Sequence, residues 1–198
     1  MFKNSYGWAA PELDEDPSRR TVAEDVGLDT TTLLTYRFLL GTILIWTGLA
    51  LWGRARVLPR RDRRTALGLG LLYALFTAFY FWGLLFIPAG LTGLVFYTYP
   101  VYVYVLAVWL LDESVSRYKL GALVVALGGV ALIVGGDLGE VDVAGVGLIL
   151  LAALGIAGYI VGSRAALGAI DSDILAGTAM IATTAFFLVF GVVSGRLG

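Results

Sequence analysis

Residues 89–121 read AGLTGLVFYTYPVYVYVLAVWLLDESVSRYKLG. The apolar run at 89–111 is close to the ~20 residues a helix needs to cross a ~30 Å hydrocarbon core. It is continuously apolar and does not alternate, so it reads as one membrane-spanning helix and not as a barrel strand. Pro100 falls at its middle, with Tyr97, Tyr99, Tyr102 and Tyr104 around it. The charged hairpin Asp112-Glu113 to Arg117 then leads into the next apolar run.

Outward from this stretch the same pattern recurs at about 31–53, 65–87, 118–136, 143–163 and 173–194. The expected fold is therefore all-α and membrane-embedded, with six transmembrane helices in contact with the lipid bilayer. Composition agrees: 59% of the 198 residues are hydrophobic, 15% are charged, and mean hydropathy is +0.85. A soluble domain is nearer a quarter charged. Cysteine and histidine are both absent, which removes disulfides, thiolate chemistry, histidine bases and the usual zinc or haem ligands. No acid lies well inside a span, so no catalytic set, metal site or cofactor is expected. A net charge of −1 implies no nucleic-acid partner.

Residues 1–30 are polar and acidic. Lys3, Arg19 and Arg20 face Glu12, Asp14, Glu15, Asp16, Glu24, Asp25 and Asp29. With Pro11 and Pro17 they read as a disordered tail, and they lack the basic-then-apolar order of a signal peptide.

The loops set orientation. Arg54, Arg56, Arg60, Arg61, Arg63 and Arg64 face a single Asp62, and the next alternate loops carry Arg117, Lys119 and Arg164. The opposite loops are uncharged at 87–90 and acidic at Asp137, Glu140 and Asp142. The positive-inside rule places loops 54–64, 112–119 and 164–172 in the cytoplasm of a multi-pass cell-membrane protein. There is also an internal echo. An offset of 142 residues pairs Gly27-Leu28-Asp29 with Ala169-Ile170-Asp171, and Gly53-Arg54 with Gly195-Arg196. The loop charges give the segments between these landmarks opposite directions, as an inverted-topology repeat requires.

Four tyrosines near the middle of a span are too deep for an interfacial belt, and each hydroxyl needs a partner or a wet cavity. At about 100° per residue Tyr97 and Tyr104 share one face, while Tyr99, Tyr102 and Trp109 share the opposite one. Tyr97 and Tyr104, on the side nearer Pro100, are the preferred cavity candidates, and helix packing is the alternative. Pro100 removes a hydrogen bond to the Phe96 carbonyl, which makes either a static kink or a pivot. Glu113 and Arg117 form a structural lock on the hairpin or a cytoplasmic gate, with Ser116 as a cap for the next helix. Arg37 is the one charge inside a span; it snorkels to the interface, or it faces an anion or a gate. Gly158 and Gly162 have the spacing of a close-packing motif.

Several of these features together resemble the EamA-type family of the drug/metabolite transporter superfamily. They are Ala89-Gly90, Pro100, Glu113, Gly121 and Gly128-Gly129-Val130 in order, Arg37-Phe38, and Tyr159 followed by Arg164. Together they cover roughly residues 26–197. Asp112-Glu113 stands where that family more often has glycine before the glutamate.

The resemblance implies ten helices in two inverted five-helix repeats around a central cavity. It also implies alternating-access transport of small metabolites or drug-like solutes, often coupled to a proton or another ion. On that footing residues 31–136 supply helices two to five of the first repeat, and 137–198 the first two helices of the second. The chain is then expected to be a fragment of the full carrier, met by a complementing fragment or a second copy. Tyr80 and Trp82 join the segment 89–111 residues as expected cavity wall. The alternative is a non-transporting membrane scaffold whose glycine-rich helices oligomerise.

Overall fold

The computed structural model describes residues 30–112, 116–134 and 142–195, all helix or connection with no strand among them. The helices are α1 (Thr30–Leu51), α2 (Arg60–Gly83), α3 (Ala89–Phe96), α4 (Tyr99–Leu110), α5 (Arg117–Val134), α6 (Val143–Ala166) and α7 (Ser172–Val193). Five spans among the described residues are long and apolar enough to cross a membrane: α1, α2, the α3–α4 pair, α6 and α7. The sixth expected segment is α5. It has 18 residues, begins at Arg117 and runs on toward residues outside the description. The acidic tail at 1–29, Glu113, the 135–141 connection and Arg196 also lie outside the described residues.

α2 is the centre of the bundle, packed against α6 on one side and α7 on the other. α7 in turn packs on α1, α6 on α3 and α4, and α5 packs chiefly on α3. Small residues permit the close crossings. A Cβ at Gly70 would overlap the Ala179 carbonyl of α7, and one at Gly155 would lie 2.7 Å from Phe76 Cβ. Gly158 and Gly162 face Leu72 and Leu69, so this glycine pair is used in the α2–α6 contact. Buried side chains collect in three clusters. Leu49, Leu69, Ile170 and Ile174 fill the arginine-rich end, Leu34, Phe38, Ala74 and Phe187 the α1–α2–α7 junction, and Ile87, Leu91 and Ile149 the α2–α3–α6 junction.

α1 and α7 run antiparallel, and a seam of threonines joins them. Thr42 and Thr184, 142 residues apart, touch hydroxyl to hydroxyl at 2.8 Å. Thr42 Oγ1 also lies 3.3 Å from the Met180 carbonyl, and Thr184 Oγ1 lies 3.0 Å from the Phe38 carbonyl, so two hydroxyl protons are shared among the three contacts. Under the 142-residue offset the two carbonyl contacts exchange, as they do across a local two-fold axis. The correspondence extends to the far ends, where Gly53 and Gly195 both have φ +65°. Gly53 closes α1 in a Schellman turn, with Arg54 N–H donating to Leu49 O at 2.8 Å and Gly53 N–H to Ala50 O at 3.1 Å. Gly195 N–H donates equivalently to Val192 O at 3.2 Å.

The span at 89–110 differs from the single helix expected. α3 ends at Phe96 and α4 begins at Tyr99. Tyr97 has ψ 2° and Thr98 ψ −12°, and the bonds across the break are tightened, from Thr98 N–H to Val95 O at 3.1 Å and from Val101 N–H to Thr98 O at 3.0 Å. Pro100 is accommodated in the first turn of α4, where its missing N–H costs least. Further on, α2 begins at Arg60, five residues before the apolar run, so Arg60 to Arg64 are helical and not loop. Hydropathy marks the part of a helix in hydrocarbon, and α2 extends beyond it.

Asp112 has φ +51°, the left-handed region that costs an ordinary residue roughly 1–2 kcal/mol. Glycine carries no such penalty, which explains why glycine suits this position. Asp112→Gly is expected to stabilise the α4–α5 hairpin by up to about 1 kcal/mol, the gain being offset in part by glycine's greater freedom when unfolded. Slower hydrogen exchange at the start of α5 would register it.

Candidate functional site

The α2 sequence Tyr73, Phe76, Thr77, Tyr80 places ring, ring, hydroxyl and ring at helical spacing on one face. These side chains, with Arg37 and Phe38 of α1, Phe81 of α2 and Phe96 of α3, line an open cavity of about 170 Å³. The rings hold each other edge-on. Tyr73 meets Phe38 at 5.9 Å, Phe76 at 4.7 Å and Tyr159 of α6 at 5.1 Å, and Tyr80 meets Phe96 at 4.9 Å. Edge-to-face pairs at these separations contribute about 0.5–1.5 kcal/mol each beyond their burial. The wall is therefore stiff.

Its polar groups are few. Thr77 Oγ1 donates back to the Tyr73 carbonyl at 2.8 Å, as buried helical threonines do. Arg37 is exposed at the rim, its guanidinium carbon 5.8 Å from the centre of the Phe38 ring. Neither described ion pair involves it. The site thus presents aromatic faces and one cation beside the break in the 89–110 span.

The structure brings Arg37 and Tyr80 together here and places the other sequence candidates elsewhere. Tyr97 is 64% exposed at the end of α3. Tyr104 is half-buried in α4, and its hydroxyl accepts the Ser116 N–H at 3.1 Å, tying α4 to the start of α5. A tightened two-residue turn at Tyr97–Thr98 lies between them, and their surroundings differ. Pro100 is exposed. Trp82 points to the α2–α7 side, 5.6 Å from Phe190. Arg117 is exposed at the first turn of α5, and its expected partner Glu113 lies outside the described residues.

The hydroxyl of Tyr104 thus has a partner of its own. Tyr104→Phe is expected to free the Ser116 amide, at a cost of about 1 kcal/mol, and to speed its hydrogen exchange while the helices persist.

At the arginine-rich end, Arg54 pairs with Asp173 at 2.9 Å and Arg56 pairs with Asp171. Both bonds link the α1–α2 connection to the N-terminus of α7, where carboxylates are also favoured by the helix dipole. All but Asp173 are largely exposed, so each pair contributes at most ~1 kcal/mol.

No curated protein matches the chain. A model of the EamA-like transporter family matches residues 22–135, more than half of it, from the segment before α1 to the end of α5. With this match and an all-helical bundle of long apolar spans, the chain belongs to the EamA-like transporter family.

Proposed function

We propose that this membrane protein carries small organic solutes by alternating access, and that the cavity between α1, α2 and α3 is part of the solute path. The observation that carries the reading is the convergence of Arg37, Tyr73, Thr77 and Tyr80 beside the divided span. Such a wall suits a planar or partly apolar solute with an anionic or carbonyl group for the guanidinium. The pseudo-symmetric α1–α7 seam fits a carrier built from inverted halves, in which α1 to α5 are helices two to five of one repeat and α6 and α7 open the other. On this reading the arginine-rich end is cytoplasmic and the chain works with further helices, from a longer form or a complementing partner. A proton or another ion supplies the driving force.

The test is flux in proteoliposomes, with the chain alone and together with segments that complete the second repeat. A panel of aromatic and carboxylated metabolites is offered, with and without a proton gradient. Tyr80→Ala is expected to lower flux of a transported solute about tenfold at unchanged protein level. Equal flux in wild type and variant would remove the cavity from the path.

A further inference from the structure

A second surface of the bundle has the chemistry of a lipid site. A groove of about 650 Å³ runs along the outer junction of α2 and α7, with a wall almost wholly apolar. Leu67, Gly68 and Leu71 form its α2 side, and Phe186, Val189 and Val193 are prominent on the α7 side. Gly68 has open space where a Cβ would stand, so the groove is unobstructed at that level.

Three arginines head the groove. At about 100° per residue, Arg60, Arg61 and Arg64 fall on the same side of α2 as Leu67, Gly68 and Leu71, and Asp62 falls on the opposite side. Arg64 precedes Gly68 by four residues, or about 6 Å along the axis. All three of these arginines, and Arg63 beside them, are exposed. The two ion pairs found among the described residues neutralise Arg54 and Arg56 and leave this group unpaired. α2 has 24 residues, so it is about 36 Å long and its first turn extends beyond a ~30 Å hydrocarbon core to headgroup level.

We propose that this surface binds an anionic phospholipid, its phosphate held by Arg60, Arg61 and Arg64 and one acyl chain laid in the α2–α7 groove. Charge complementarity selects the headgroup, since clustered arginines beside a span attract anionic lipid. Guanidinium groups also bind phosphate oxygens in pairs. The apolar groove selects a chain-bearing ligand over a free anion. This site is on a different face from the aromatic cavity and does not depend on which solute is carried.

Native mass spectrometry of the detergent-purified protein, titrated with phosphatidylglycerol or phosphatidylcholine, tests this. Wild type is expected to favour phosphatidylglycerol by about tenfold or more. Arg60→Gln/Arg61→Gln/Arg64→Gln should abolish that preference, and the corresponding triple lysine variant should keep most of it. Gly68→Phe fills the groove without touching the charges and should weaken retention of both lipids, with circular dichroism confirming an unchanged helical content. Millimolar inorganic phosphate should not displace the lipid. Equal binding of both lipids by wild type would overturn the proposal. So would a preference that survives in the glutamine variant, wild-type retention by Gly68→Phe, displacement by phosphate alone, or a protein dimer that excludes lipid.

Discussion

Gly70→Leu is expected to abolish the folded bundle, whereas Gly68→Leu, two residues away, leaves it intact. A side chain at Gly70 collides with the Ala179 backbone, which cannot rotate away as a side-chain tip can. The same position receives the Thr183 hydroxyl on its carbonyl at 2.8 Å, so separating the helices also breaks a buried hydrogen bond. Overpacking against a flexible neighbour costs about 1–3 kcal/mol, and a backbone clash lies at or above the upper end. With α2 packed on both α6 and α7, the loss spreads to every cluster of the core. Thermal unfolding in detergent, followed by size-exclusion homogeneity, measures the effect. A shift of about 0.5 kcal/mol or less for Gly68→Leu is the control, because that Cβ meets nothing. Equal behaviour of the two variants would contradict the α2–α7 crossing.

The second large effect is expected from Arg37→Gln, and it has opposite signs in two measurements. Flux should fall about tenfold or more, since the one cation lining the aromatic cavity among the described residues is lost. Stability should hold or rise. A charge in a span costs up to ~2.5–3.5 kcal/mol at the bilayer centre and less near its edge, and glutamine removes that cost. A variant that loses flux and stability together would make Arg37 a structural residue. One that keeps full flux would make it a snorkelling side chain with no part in the solute path.

Much of this was legible in the sequence. Long apolar runs give helices because unpaired backbone groups are intolerable in lipid, and the glycine spacing on α6 gives close packing. The 142-residue offset was visible in its landmarks Gly53 and Gly195. Thr42 and Thr184 stand at the same offset, but one matched threonine among unmatched neighbours carries no signal until the helices are seen to touch there. The break at Tyr97–Thr98 was hidden because Pro100 is equally compatible with a kink within one helix. The cavity was half legible: Tyr73, Phe76, Thr77 and Tyr80 form a readable aromatic face. That Phe38 and Phe96 close it from other helices depends on packing, which periodicity does not encode. Arg60 to Arg64 read as loop in the sequence because charge and hydropathy locate the membrane boundary and not the helix end.

The inverted arrangement depends on α1 and α7 meeting antiparallel at equivalent threonines. The chain has no native cysteine, so one engineered pair reports that contact without background. Thr42→Cys/Thr184→Cys, oxidised in intact membranes, should form an intramolecular disulfide in high yield, because the two hydroxyls are 2.8 Å apart. Thr47→Cys/Thr184→Cys should not, since Thr47 is exposed. A closed Thr42–Thr184 pair with an open control is the predicted result. Failure of that pair to close, or closure only between separate chains, would contradict the antiparallel seam and the inverted arrangement built on it.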